Sequence, residues 1–244
     1  MIRVALAQYQ PAAAAPANLN LVGQIMERAG QEGVDIVCFS GDFLGDEPVP
    51  QARVISRLQE LAKEFRVETL TGRIRLDDGE LAQSVLIARD GLLIDWVPMG
   101  QVKPLRTCVG TTLVLSEEQA YSEEADARAL ELRPKVMVMQ ASANSLLELE
   151  AIKELAIDRS YNQAHLVVCI SVVGRCRDEN CLGASLAVLQ GEILAEADTG
   201  ASEIVLFSVD PAKFIDYDEL RDPVIIPELL KQKYWPHVSH DTEP

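Results

Sequence analysis

An α/β fold, with two mixed sheets face to face and helices over both outer sides, is predicted by three features of this 244-residue chain. Apolar strand-like runs alternate with amphipathic helical stretches, the pattern of an α/β protein. Several strand runs are joined by hairpin turns, which a simple doubly wound parallel sheet would not need. No linker, low-complexity block or fixed-period repeat interrupts residues 1–244, so they read as one domain with a Pro-rich tail from about Asp222.

In chain order, Val4–Gln8 is a short strand and Pro11–Pro16 an Ala/Pro loop. Asn18 is a candidate cap for a helix carrying Leu21, Ile25 and Met26 on one side, ended by Gly30–Gly33. Val34–Phe39 is a second buried strand, and Ser40–Pro50 a loop. Gln51–Phe65 places Val54, Leu58, Leu61 and Phe65 on one helical stripe. Three strands follow, Glu68–Arg75, Ser84–Arg89 and Leu92–Val97, with turns at Asp77-Asp78-Gly79 and Asp90-Gly91. Val102–Gly110 reads as a loop.

The stretch Thr111–Ala143 organises the rest. It offers a buried strand (Thr112–Leu115), a polar break at Ser116-Glu117-Glu118, a helix from about Ala120 to Leu132, and a strand (Val136–Met139) after Pro134. Such a unit lies parallel in one sheet with a right-handed crossover. Chemistry in open α/β sheets sits beyond the carboxyl ends of strands, a position that Ser116 occupies here. Beyond it come a long helix (Leu146–Ala164), a very apolar strand (Leu166–Val173) and a polar segment (Arg175–Asn180). Gly183–Leu189 and Glu192–Ala197 form a hairpin, Glu203–Val209 a last strand, and Asp210-Pro211 starts a short helical region.

Composition narrows the function classes. Lys and Arg number 22 against 38 Asp and Glu, a net charge of −16, which argues against binding the nucleic-acid backbone. A solvated acidic surface, including the run Glu117–Asp126 with Arg128 in reach of Glu124, is the simplest reading of that balance. Five cysteines, an odd number, point to reduced thiols and a cytoplasmic protein. Met1–Pro11 does not read as a signal peptide, and no apolar run of about 18 residues offers a membrane span. Cys176 and Cys181 are spaced C-x4-C, but no second pair or suitably spaced His follows, so no metal is expected, nor any cofactor. His165 reads as a structural hydrogen-bonding residue, and Cys38 and Cys169 as core thiols.

The pieces VALAQYQP…NLN, GVDIVCFSGDF, VKPL, IDRSYNQAHLVVCISVVGR, CLGASLAVLQGEILAEA and EIVLFSVDPAKF occur in this order through most of the chain. Together they resemble the nitrilase, or carbon–nitrogen hydrolase, superfamily. The resemblance implies a four-layer α-β-β-α sandwich, pairing as a homodimer through the helices after Ser116 and Ser142, and hydrolysis of amides or nitriles. Family members use a cysteine thiolate as nucleophile, a glutamate to move protons and a lysine to steady negative charge.

Carried over position by position, the family glutamate falls at Gly41, with Asp42 one residue along. The nucleophile falls at Ser116, and a second family glutamate has no counterpart between Lys103 and Ser116. A further family glutamate, on the helix, falls at Asn162, and the asparagine before the glycine at Ser171. Lys103 alone is retained. The resemblance therefore implies a scaffold that has lost hydrolysis and serves in binding or structure. Two alternatives stand beside it: a divergent amidohydrolase using Ser116 or Cys108 with Lys103, and a small-molecule sensor. Ser116 itself reads either as a hydroxyl nucleophile, which needs a base, or as a helix cap with Glu117 and Glu118 near the helix N-terminus. Lys103 reads as a relic, a surface charge or a ligand contact.

Overall fold

The computed structural model describes residues 1–45, 51–76, 79–176, 179–214, 224 and 226–234. Asp77, Asp78, Arg177, Asp178, the end of the Ser40–Pro50 loop and most of the tail from Asp222 lie outside the described residues. The first half of the chain runs β1 (Ile2–Gln8), α1 (Ala15–Gln31), β2 (Ile36–Phe39), α2 (Gln51–Phe65), β3 (Glu68–Leu70), β4 (Ile74–Arg75), β5 (Leu81–Ile87) and β6 (Leu93–Pro98). The second half runs β7 (Pro104–Thr107), β8 (Gly110–Leu115), α3 (Glu123–Leu132), β9 (Val136–Gln140), α4 (Leu146–Asn162), β10 (Leu166–Ile170), β11 (Val173–Cys176), β12 (Glu179–Leu182), β13 (Leu186–Leu189), β14 (Glu192–Glu196), β15 (Glu203–Val209) and α5 (Glu228–Tyr234).

Two mixed sheets form. One is seven-stranded in the order β15-β1-β2-β3-β5-β4, with β6 also on β5; the other is six-stranded, β14-β13-β10-β9-β8-β7. β8 and β9 pair in parallel around α3, as the central stretch predicts. Strand alternation builds the layers, since successive side chains point to opposite faces. Ala5 and Ala7 of β1 pack outward against α1 and α2, while Val4 and Leu6 face the other sheet. In β9, Met137 and Met139 face α3 and α4, and Val136 and Val138 face inward. The result is the expected α-β-β-α order.

Several elements depart from expectation for identifiable reasons. Asn18 does not cap α1; Ala14 stands at the N-cap without a side-chain bond, and Pro16 occupies the first turn. The Asn18 amide instead ties Ala12 to the Leu44 carbonyl, at 2.8 and 2.7 Å. The expected loop at 102–110 contains β7, because Pro104 and its neighbours pair back on β8. On either side of residues 177 and 178 the expected polar segment belongs to strands, β11 and β12, which pair antiparallel with Cys176 opposite Glu179 and Cys181 opposite Gly174. The strand expected over Glu68–Arg75 is broken at Thr71-Gly72-Arg73. A Cβ on Gly72 would lie 1.8 Å from the Ser40 carbonyl oxygen, so only glycine lets the two chain segments approach there. At Asp90-Gly91 the expected turn forms with Gly91 at φ +84°, and the backbone around Gln59 packs against it.

Buried polar side chains stitch the sheets together. Gln8 accepts from Ser185 N–H at 2.7 Å and donates to the Asp198 and Ala201 carbonyls, while Gln83 donates to the Val114 carbonyl at 2.9 Å. At the opposite end Glu68 of β3 accepts from Cys108 N–H at the β7–β8 turn, 2.8 Å away. Burial raises the Glu68 carboxyl above its ordinary value of 4.5, outweighing the hydrogen bond from Cys108. A raised carboxyl contributes stability that is complete below the unfolded-state value and is lost as pH climbs through the folded-state value. Glu68→Gln keeps the acceptor without the charge, so its stability relative to the natural protein is expected to improve between pH 4.5 and 7, measured by urea unfolding. A gap that stays constant with pH would contradict this.

Candidate functional site

The carboxyl ends of β2, β8, β9 and β10 open onto one cavity of about 80 Å³ between the sheets. Its lining includes Ser40, Gly41 and Asp42 after β2, Arg73 from the break before β4, Ser116 to Glu118 after β8, and Gln140 and Ser142 around the end of β9. Met99, Ile170 and Val172 supply an apolar side.

Each polar group is held by local structure. Arg73 is placed by its own N–H donating to the Gly41 carbonyl at 2.9 Å, and its guanidinium pairs with Asp42. Ser116 forms a capping box with Gln119: Ser116 N–H donates to Gln119 Oε1 at 3.1 Å, and Gln119 N–H donates to Ser116 Oγ at 3.4 Å. The turn so closed, 116–119, leads into a short 3-10 segment, Gln119–Tyr121, whose own N-cap is Glu118; the longer helix α3 begins after its N-cap, Ser122. Glu117 accepts from Ser142 N–H at 3.1 Å, tying the end of β8 to the end of β9. A Cβ at Gly41 would lie 3.2 Å from Gln140 Oε1, so Gln140 crowds the place where a longer side chain would start.

The acidic run does not form a single solvated helix face. Glu117 lines the cavity, Asp126 is buried, and Arg128 pairs with Glu131 rather than Glu124. Asp126 accepts from Gln163 and lies 3.9 Å from the fully buried Arg159 guanidinium, whose three nitrogens have no hydrogen-bond partner among the described residues. Burial pushes both groups toward their neutral forms, Asp126 upward and Arg159 downward.

Lys103 is not among the residues lining the cavity. The β7–β8 register, Pro104 against Leu113, brings Lys103 to the same end of the sheet as Ser116. Its ammonium nevertheless donates to Asp95 at 2.6 Å and to the Trp96 carbonyl at 3.2 Å, on β6. Cys108 sits at the opposite end of β8, at the hairpin turn, where burial and Glu68 push its thiol up to about 12. Cys38 and Cys169 lie in strand cores with thiols raised by burial. His165 is buried and stacks on Phe214 with ring centroids 5.3 Å apart. Among the described residues no cluster of His, Cys, Asp or Glu could hold a metal ion.

Sequence reasoning missed Arg73, Gln140 and Ser142. The signal for Arg73 was Gly72 within a strand-like run, which marks a bulge or close approach. Nothing local marks the other two.

No family model matches the chain by sequence, and no curated protein matches it. Solved structures do match. A carbon–nitrogen hydrolase from Helicobacter pylori G27 superposes with a TM-score of 0.75 at 13% identity, over 96% of this chain and 93% of that one. Nit3 of Saccharomyces cerevisiae, described as a member of branch 10 of the nitrilase superfamily, gives 0.73 at 20% identity, over 99% and 97%. A mutant amidase from Nesterenkonia sp. AN1, described as carrying the acetamide moiety of fluoroacetamide on its active-site cysteine, gives 0.70 at 14%, over 87% and 92%. The chain has the nitrilase, or carbon–nitrogen hydrolase, fold.

Proposed function

We propose that this chain uses the carbon–nitrogen hydrolase fold as a small-molecule-binding scaffold and does not hydrolyse amides or nitriles. One observation carries the reading: where β2 and β8 deliver their carboxyl ends into a shared cavity, the residues are Gly41 and Ser116. The amidase from Nesterenkonia sp. AN1 reacts through a cysteine. A serine hydroxyl is far less acidic than a thiol and attacks only with a base to take its proton. Here the Ser116 oxygen already accepts a capping bond. Asp42 is engaged by Arg73, and a carboxylate bonded to a guanidinium is a poor proton acceptor. Lys103 is held by Asp95.

The competing reading, a divergent hydrolase, draws on the gathering of Ser116, Asp42 and Arg73 around one hollow. Turnover decides between them. The purified protein, its Ser116→Ala variant and its Lys103→Ala variant are incubated with amides, nitriles and N-carbamoyl compounds, and ammonia release is followed. No release above the uncatalysed rate is expected from any of the three; release that Ser116→Ala or Lys103→Ala abolishes would overturn the scaffold reading.

Two further assignments belong to this proposal. The chain pairs as a homodimer through α3 and α4, supported by the exposed Leu146, Leu147 and Tyr161 on α4. Light scattering checks it: a species of one 26.8 kDa chain would contradict the pairing. The protein works in the cytoplasm, supported by free thiols at Cys38, Cys108 and Cys169. Among the described residues no helix is long and apolar enough to cross a membrane.

A further inference from the structure

We propose that the cavity takes a short-chain primary amine in its ammonium form, a reading that rests on the assignment of this hollow as a binding site. Charge, an unmet hydrogen bond and shape converge on that ligand. Three acidic residues, Asp42, Glu117 and Glu118, line the cavity against one basic residue, Arg73, whose guanidinium is already paired with Asp42. The local balance is negative, so an anionic ligand is repelled and a cation drawn in.

The unmet bond belongs to Ser40. Ile36 and Cys38 of β2 point between the sheets, so the pleat aims Ser40, two residues on, the same way, onto the floor of the cavity. Ser40 is only 2% exposed, and its hydroxyl has no hydrogen-bond partner among the described residues. A buried hydroxyl left without a partner is costly, and a ligand N–H would supply the missing donor. An ammonium group brings three donors and no acceptor, which suits a chamber of carboxylate and hydroxyl oxygens.

Shape fixes the remainder. A cavity of about 80 Å³ holds several times the roughly 10–15 Å³ that a single water needs, so the ligand has only a few non-hydrogen atoms. Ile170 and Val172 also line the cavity and supply apolar surface fit for a short alkyl chain behind the charged head.

The test uses three probes with the same carbon chain and different heads: propylammonium, propionamide and propionate. Each is added to the full-length protein, and to its Ser40→Ala and Glu118→Gln variants, and the melting temperature and calorimetric heat are recorded. Propylammonium alone is expected to raise the melting temperature of the natural protein, by linkage. Glu118 is exposed, so Glu118→Gln folds normally; it is expected to weaken propylammonium binding about fivefold, the order for losing one unit charge a few ångström away in a high dielectric. Ser40→Ala should weaken it as well, through the lost acceptor. Three outcomes would each overturn the assignment: no shift with propylammonium, an equal or larger shift with propionamide or propionate, or a propylammonium shift unchanged in both variants, which would locate it on the general acidic surface. Ammonia release from propionamide is a separate readout. It would sink the scaffold reading, whereas failure of propylammonium to bind without any such release sinks the ligand assignment alone.

Discussion

Asp126→Asn is expected to destabilise the protein by about 3–5 kcal/mol, the cost of leaving one charge of a buried pair uncompensated. The substitution preserves an oxygen to accept from Gln163, so the loss reports charge rather than shape. Arg159 is fully buried, and among the described residues its guanidinium makes no hydrogen bond and has the Asp126 carboxylate, 3.9 Å away, as its ion-pair partner. At that separation the attraction does not repay desolvation well, because repayment needs short, hydrogen-bonded geometry. The double variant Asp126→Asn with Arg159→Met is therefore expected to recover the loss and to exceed the natural protein by about 1–4 kcal/mol. Urea unfolding of the three proteins measures both values. A single variant as stable as the natural protein would show that Arg159 is not held as a buried cation.

Gly72→Ala should cost about 3 kcal/mol or more, as an overpacked site that cannot relax. The added carbon would meet the Ser40 carbonyl oxygen at 1.8 Å and Gly41 Cα at 2.7 Å, and backbone atoms cannot rotate out of the way. Gly41→Ala is the control. Its Cβ meets only the end of the Gln140 side chain, at 3.2 Å, which a rotamer change relieves, so a loss within about 1 kcal/mol is expected. Should the two variants unfold at the same urea concentration, the close approach of β2 and the β3–β4 break would not hold the site together. The loss at Gly72 also reaches the cavity, since Arg73 is positioned by the Gly41 carbonyl.

How far the site was readable from sequence differs residue by residue. Ser116 could be placed because it directly follows a short apolar strand, a local signal, whereas Gly41, two residues beyond Phe39, is placed only by the resemblance. The cap expected of Ser116 falls instead to Ser122, which caps α3, while Ser116 closes a turn with Gln119 ahead of a short 3-10 segment. Lys103 was matched by its neighbours in the chain, but its ammonium is directed by Asp95, which hydrophobic periodicity does not reveal. Arg73 reaches the cavity from 31 residues beyond Asp42, through a glycine contact between two segments distant in sequence.

Asp126 illustrates the same limit from the other side. It stands in a run of acidic residues that looks wholly solvated, yet its place on α3 turns it toward Gln163 and Arg159 of the following helix segment. Side-chain polarity states what a residue would prefer; the helix phase and its neighbours settle where it goes.

By itself the sequence determined the layers, the parallel β8–β9 unit and the presence of Gly41 and Ser116 near the strand ends, because alternation, turn residues and residue identity are properties of short windows. Only the tertiary structure decided which groups gather around the cavity, where Lys103 points and which charges are buried. Those depend on strand register and on contacts between distant segments, where a shift of one residue exchanges inside for outside.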